Sequence, residues 1–272
     1  MRVAVVGHVE WVDFIAVDRF PEPGDVVHGQ AAGSHAGGAG SVVAAVLVEL
    51  GGEVDFFTAL GRDRNGEAAA AELAERGVRM HVAWREAPTR RAVTLLGTAG
   101  ERTIVTVGER LQPLGEDELD WPRLRDAAGV YFTAGDAAAL TRARAARVLT
   151  ASPRGRGAFE EHASTVDADA PALDALIFSA HDRDERAWAE RIASRARLLV
   201  ATESERGGRW WGESSGRWQR VEPPGPVRDA YGCGDSFAAA FTFGLADGRP
   251  VAEAARLGAQ WGARALTRVG VP

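Results

Sequence analysis

The nine residues Asp229-Ala230-Tyr231-Gly232-Cys233-Gly234-Asp235-Ser236-Phe237 concentrate more usable chemistry than any other stretch of the chain. Glycines at 232 and 234 let the backbone turn tightly and bare its N–H groups. The run Ala238 to Leu245 behind them reads as a helix whose first turn adds partial positive charge. An anion belongs at such a place. Asp235 stands beside it as a carboxylate able to take a proton or, on the plainer reading, as a helix-start acid that complements the dipole. Cys233 also has two readings, a thiol of lowered pKa or a small spacer whose amide matters. With no partner for it nearby in sequence, the spacer is preferred.

The composition narrows what these residues can be for. The chain has 272 residues, 46% of them hydrophobic and 26% charged, with a net charge of −6, which suits a folded globular protein and not a disordered, collagenous or nucleic-acid-binding one. It contains no lysine, so all 32 basic residues are arginine. A P-loop, a protein-kinase strand lysine and a pyridoxal Schiff base are thereby excluded. One cysteine permits neither an intramolecular disulfide nor a multi-thiolate metal site. The chain enters the strand-like run Val3-Ala4-Val5-Val6 at once, and no apolar run approaches the roughly 20 residues a membrane span needs. A cytoplasmic protein without membrane or nucleic-acid partners is expected.

Short β-rich runs alternate with longer Ala/Leu-rich runs of helical period, the pattern of a three-layer α/β/α body on a mainly parallel sheet. Strands are predicted at 2–7, 54–58, 129–133, 147–151, 175–179 and 198–202. Helices are predicted at 40–50, 66–76, 137–145, 183–194, 235–246 and 250–267. Residues 12–18 and 26–32 look extended, and 91–97 and 102–107 form a hairpin about the turn Thr98 to Glu101, so a small second sheet is expected. A further hairpin is read at 208–221, and 152–171 as a loop. Gly37-Gly38 reads as a tight loop before a helix. The segment Gly7-His8-Val9-Glu10-Trp11 lacks Gly-x-Gly-x-x-Gly, which argues against a dinucleotide enzyme.

The string Asp-x-x-Gly-x-Gly-Asp-x-Phe resembles the signature of the ribokinase-like (PfkB) carbohydrate kinases. Gly37-Gly38-Ala39-Gly40, the run Ala59 to Glu67 and the turn Phe20-Pro21-Glu22-Pro23-Gly24-Asp25 are similar to further family segments. The likeness runs from residue 2 to about 270. It implies one ribokinase-like domain over 1–272 with a β lid from about 12–32 and 91–107, and homodimers paired through that lid. It implies a magnesium-ATP phosphotransferase acting on a hydroxyl of a sugar or sugar-like molecule. Asp235 would be the general base, and the amides of Gly232, Cys233 and Gly234 the anion hole. Gly37 and Gly38 would lie against the sugar.

The same resemblance assigns the remaining candidates. Glu10 and Asp13 stand where the family has Asn-x-Asp for sugar hydroxyls, or else they belong to a solvated strand face. Trp11 is placed to stack on a ring. Ala39 and Val42 replace a common Lys and Asn, so the acceptor is expected to differ from ribose. Thr202, Ser204 and Gly207 match the nucleotide-side loop, and Asp229 borders a monovalent-cation site for potassium. The family's Asn-x-x-Glu is read at His181-Asp182-Arg183-Asp184, leaving Asp184 as the metal-ordering carboxylate. Two alternatives stay open: a catalytically weak relative that binds sugar or nucleotide for regulation, and a kinase for nucleosides or vitamin-precursor alcohols.

Overall fold

The structure, a computed structural model, describes residues 1–98, 100–164 and 171–271. In chain order the elements are β1 (Arg2–Val6), β2 (Glu10–Ala16), β3 (Gln30–Gly37), α1 (Ala39–Glu49), β4 (Glu53–Gly61), α2 (Arg64–Glu75), β5 (Arg79–Arg85), β6 (Arg91–Leu96) and β7 (Arg102–Val107). There follow β8 (Gly129–Phe132), α3 (Ala137–Ala143), β9 (Val148–Ala151), α4 (Arg156–Ser164), β10 (Leu173–Ser179), α5 (Arg183–Arg191), β11 (Ala196–Thr202), β12 (Gly208–Gly212), β13 (Gly216–Trp218), α6 (Cys233–Ala246) and α7 (Val251–Ala265).

Nine strands form one sheet in the order β13-β12-β11-β10-β9-β8-β1-β4-β5, parallel except for the β12–β13 hairpin at one edge. Alternation along β1 shows how the layers arise, because successive side chains point to opposite faces. Val3 and Val5 join Val43 and Leu47 of α1 and Phe237 and Phe241 of α6, while Ala4 and Val6 join Leu140 of α3, Phe159 of α4 and Trp188 of α5. The three-layer α/β/α body is therefore as expected. Leu47, Phe241 and Leu140 are fully buried, each contributing about 1.5–3 kcal/mol by leaving water.

A second sheet of four strands, β3-β2-β6-β7, pairs β2 with β6 in parallel and the outer strands antiparallel. Its inner face, Val12, Phe14, Ala92 and Leu96, packs on Val42 of α1, Tyr231 and Val271. Its edge strand β7 is exposed along its whole length.

Several boundaries differ from expectation. The extended segments predicted at 12–18 and 26–32 are strands at 10–16 and 30–37. Val26, at the start of the second expected segment, is 82% exposed, and the Ala/Gly-rich stretch after it becomes the strand because β2 offers it a partner. Strand β5 was not anticipated. The loop predicted over 152–171 contains a 3-10 turn at Pro153–Gly155 and then α4; its residues 165–170, like Ala99 of the predicted 98–101 turn, lie outside the described residues. Among the described residues, no helix is long and apolar enough to cross a membrane.

Candidate active site

Three strands of the main sheet end together, and the segments leaving them supply the site: β1 is followed by His8, β9 by Arg154 and β10 by Glu185. Ligand sites of open α/β sheets collect at such carboxyl ends. A cavity of about 180 Å³ opens there, lined by His8, Glu10, Gly38, Arg102, Thr106, Arg154, Tyr231, Gly232 and Asp235, among others. That is room enough for a small molecule.

Helix α6 begins at this cavity without a side-chain cap. Its N-cap Gly232 has φ 69°, a left-handed conformation, and a Cβ there would lie 2.9 Å from Val42 Cγ1. Gly234 differs from the expectation that both glycines serve the turn. It sits in the first helical turn, and a Cβ built on it meets nothing within 4 Å. The chain leaves that space open above the amides of the first turn, which as a class lack intrahelical partners. Burial pushes the Cys233 thiol up, away from the thiolate form, which agrees with its reading as a spacer.

Asp235 does not cap the helix; its Oδ1 accepts a 2.6 Å hydrogen bond from Arg154 Nη1. Asp229, buried, braces the loop instead. Its Oδ1 accepts from the Tyr231 N–H and its Oδ2 from the Gly270 N–H, both at 2.9 Å. The Tyr231 hydroxyl in turn accepts from the Gly38 N–H at 3.0 Å, and its ring meets Phe14 edge-on with centroids 5.1 Å apart. Burial raises the pKa of that hydroxyl. Gly37 lies under Val12 and the Tyr231 hydroxyl, leaving no room for a side chain, and only Gly38 of the pair faces the cavity.

On the side of the small sheet, Glu10 lines the cavity, with Arg90 Nε 3.4 Å from its Oε1. Burial raises its pKa, against the opposing pull of Arg90, Arg154 and Arg110. His8 is held neutral, its pKa lowered first by burial and then by Arg110, Arg154 and Arg90. Asp13 is a correction: three residues from Glu10 on a strand of period two, it points to the opposite face, where Ser34 Oγ and Arg91 Nη2 donate to it at 2.6 and 2.9 Å. Those two bonds hold its pKa down. Trp11, on that face as well, packs against the apolar core and does not border the cavity.

The residues expected on the nucleotide side gather beside the β12–β13 hairpin. Thr202 ends β11, its hydroxyl donating to the Phe178 carbonyl at 3.3 Å, and Gly207 turns the chain at φ 79° against the Trp218 backbone. Ser204 stands at φ 51°, the one left-handed residue other than glycine among those described, where the family pattern has glycine. Asp184 is a further correction. The side chain of Asp182 caps α5 through the N–H groups of 184 and 185, leaving Asp184 exposed. Glu185 turns inward, accepts from the Ser179 N–H at 2.9 Å and has Arg154, Asp182 and Asp235 among its charged neighbours. The spacing Asp182-x-x-Glu185 fits the expected pattern one residue later. Among the described residues, no group of three or more His, Cys, Asp or Glu could hold a metal ion unaided.

The pfkB family carbohydrate kinase model matches residues 1–271. The chain belongs to the pfkB family of carbohydrate kinases. An acarbose 7(IV)-phosphotransferase of an Actinoplanes strain is 31% identical to this kinase over 254 residues, 85% of this chain and 80% of that protein. A solved microbiome-derived acarbose kinase superposes with a TM-score of 0.77 at 26% identity, covering 100% of this chain and 94% of that one. Arabidopsis thaliana ribokinase, solved with ribose and ATP, shares the fold at a TM-score of 0.76 and 18% identity, covering 99% and 94%.

Proposed function

We propose that this carbohydrate kinase transfers the γ-phosphoryl group of ATP to a hydroxyl of a small sugar or sugar-like alcohol bound beside Glu10, Gly38 and Asp235. What chiefly supports the reading is an uncapped helix N-terminus, open above Gly234, with the Asp235 carboxylate on the same first turn and at the cavity wall. Phosphoryl transfer asks the protein for position and charge neutralisation more than for covalent help. The Gly232–Gly234 amides and the helix dipole can supply neutralisation without a lysine. Asp235 accepts the proton of the attacking hydroxyl, and Arg154 fixes its orientation.

A magnesium ion brings Lewis-acid charge neutralisation when bound with the triphosphate. The donor set suits an ion that arrives on the nucleotide and keeps its waters, since among the described residues no group of three or more His, Cys, Asp or Glu could hold it unaided. Thr202, Ser204 and Gly207 border the nucleotide, and Asp229 borders the monovalent cation. The four-stranded sheet serves as the lid of a single domain. ATP consumption over pentoses, hexoses, nucleosides and hydroxymethyl-pyrimidines, in potassium and in sodium buffers, should show one acceptor class turned over faster in potassium. ATP binding without turnover of any acceptor favours the regulatory alternative, and equal rates in both buffers remove the cation.

The lid pairs two copies in this proposal. Val105 and Val107 expose 54 and 59% of their surface on one face of edge strand β7, and Ile104 exposes 42% on the other, apolar surface that chains normally cover. Light scattering at micromolar concentration should give the mass of a dimer, and Val105→Glu should give that of a monomer. A wild-type monomer would sink the idea.

A further inference from the structure

The chain passes between the main body and the small sheet at four places: after β1, after β3, before β6 and after β7. Two of these crossings are held by carboxylates of α2 and its N-cap, and α2 supplies none of the described residues that line the cavity. At the exit of β3, Glu72 Oε2 accepts from the Ala36 N–H at 3.0 Å, while its Oε1 accepts from Arg76 Nη2 at 2.9 Å and lies 3.3 Å from His35 Nδ1. At the entry of β6, the cap residue Asp63 accepts from the Gly66 N–H at 2.8 Å with Oδ1 and from the Thr89 N–H at 2.7 Å with Oδ2. The Thr89 hydroxyl completes that joint by accepting from the Gly61 N–H at 3.0 Å.

Both joints resist slack. β3 is an outer strand whose Ala36 is buried, so the N–H it directs outside the sheet would be left without an acceptor if Glu72 let go. Thr89 is buried as well. Burial would raise the Asp63 pKa, yet the N–H groups of Gly66 and Thr89 hold it down, so a charged carboxylate makes this joint. The run Ala59 to Glu67 thereby finds a use: a Cβ on Gly61 or on Gly66 would strike Thr89, and only glycines let the start of α2 close on it. Each joint also leads straight to the cavity. Arg90 follows Thr89, its Nε 3.4 Å from Glu10 Oε1 and its carbonyl accepting from the Trp11 N–H at 2.9 Å, and Gly38 follows Ala36 by two residues.

We propose that α2 anchors the small sheet, with Glu72 and Asp63 as positioning residues that hold Ala92, Arg102, Ile104 and Thr106 over the acceptor cavity from outside it. This deepens the kinase reading above and rests on it. The apolar packing of the sheet on Val42, Tyr231 and Val271 is not directional, whereas hydrogen bonds at two separate crossings fix an angle. A sheet freed from one of them forms the complete cavity in a smaller fraction of molecules, and apparent acceptor affinity falls by that fraction. The chemistry at Asp235, once the acceptor is bound, stays as it was.

Steady-state kinetics and amide hydrogen exchange on the parent, Glu72→Ala and Glu72→Gln test it, with ribose, fructose, glucose, adenosine and a hydroxymethyl-pyrimidine as acceptor probes. For the probe turned over fastest, Glu72→Ala should raise the acceptor KM at least about fivefold and leave kcat within about twofold. Glu72→Gln, whose side-chain oxygen can still accept from the Ala36 N–H, should recover most of that loss. In the free protein, Glu72→Ala should speed exchange at least about fivefold in β2 and β6, beyond the strand that Glu72 bonds, and leave β1 and β8 unchanged. Asp63→Asn keeps an oxygen for the α2 cap while turning an amide towards the Thr89 N–H, and it gives the same comparison if Glu72→Ala melts early. An unmoved KM in both variants, a fall in kcat as large as that in kcat/KM, no recovery by Glu72→Gln, or faster exchange confined to β3 overturns the inference. Should the parent turn over none of the probes, the kinase reading is what fails, and exchange in β2 and β6 still decides the anchor.

Discussion

Asp235→Asn is expected to lower kcat by at least about 100-fold on whichever acceptor is turned over, with folding and ATP affinity little changed. A sugar hydroxyl is a weak nucleophile at neutral pH, and the carboxylate that takes its proton as the P–O bond forms cannot be replaced by an amide. Asparagine keeps the size of the side chain, and its oxygen can still accept from Arg154 Nη1. The helix loses no cap, because Gly232 holds that position and Asp235 contributes only first-turn charge, worth about 0.3–1 kcal/mol. Were Asp235 merely a dipole-complementing acid, turnover would survive and only that small stability change would appear. Thermal unfolding, ATP binding and turnover measured on the one variant distinguish the two, and unchanged turnover would falsify the general-base role.

The two glycines of the same turn should fail in different ways. Gly232→Val forces a β-branched residue to φ 69° and drives its Cβ against Val42, so the loss is of stability, about 1–3 kcal/mol from the backbone alone, with more from the overlap. A Cβ at Gly234 meets nothing within 4 Å and the backbone there is helical, so the melting temperature of Gly234→Val should stay near that of the parent. Its side chain occupies the space proposed for phosphate, and ATP binding should weaken by about 100-fold or more, comparable to removing an anion-hole donor. Calorimetry with ATP beside a thermal melt separates them. Normal ATP affinity in Gly234→Val would mean that the anion binds elsewhere.

The signature string was legible because its meaning is local: glycines, an acid and an Ala-rich run state a turn, a charge and a helix within nine residues. The layered body was legible for a similar reason, since Val3-Ala4-Val5-Val6 and its counterparts declare strands buried on both faces. What escaped depends on partners distant in sequence. Strand β5, Arg79–Arg85, mixes Arg, Met, His and Trp and becomes a strand by pairing with β4. Arg154 came from a stretch read as loop, yet it reaches Asp235, 81 positions away. His8 carries no motif at all, and only the folded cavity joins it to Asp235. The Asp13 assignment failed on strand parity, which the sequence did contain. The Asp184 assignment failed on the helix cap at Asp182, which decides which of two adjacent acids turns inward.

Tyr231 belongs at once to the contact with the small sheet, through Phe14, to the glycine turn, through the Gly38 N–H, and to the entry of α6, as the residue before Gly232. If the proposed reaction holds, a ring so shared would be a thermodynamic link between its two ligands. On the proposed reading, any rearrangement that the acceptor favoured by settling on Gly38 and under the small sheet would also shift the residue on which the Gly232 turn is hung. Linkage makes such an effect mutual: whatever factor the acceptor adds to nucleotide affinity, the nucleotide returns to the acceptor.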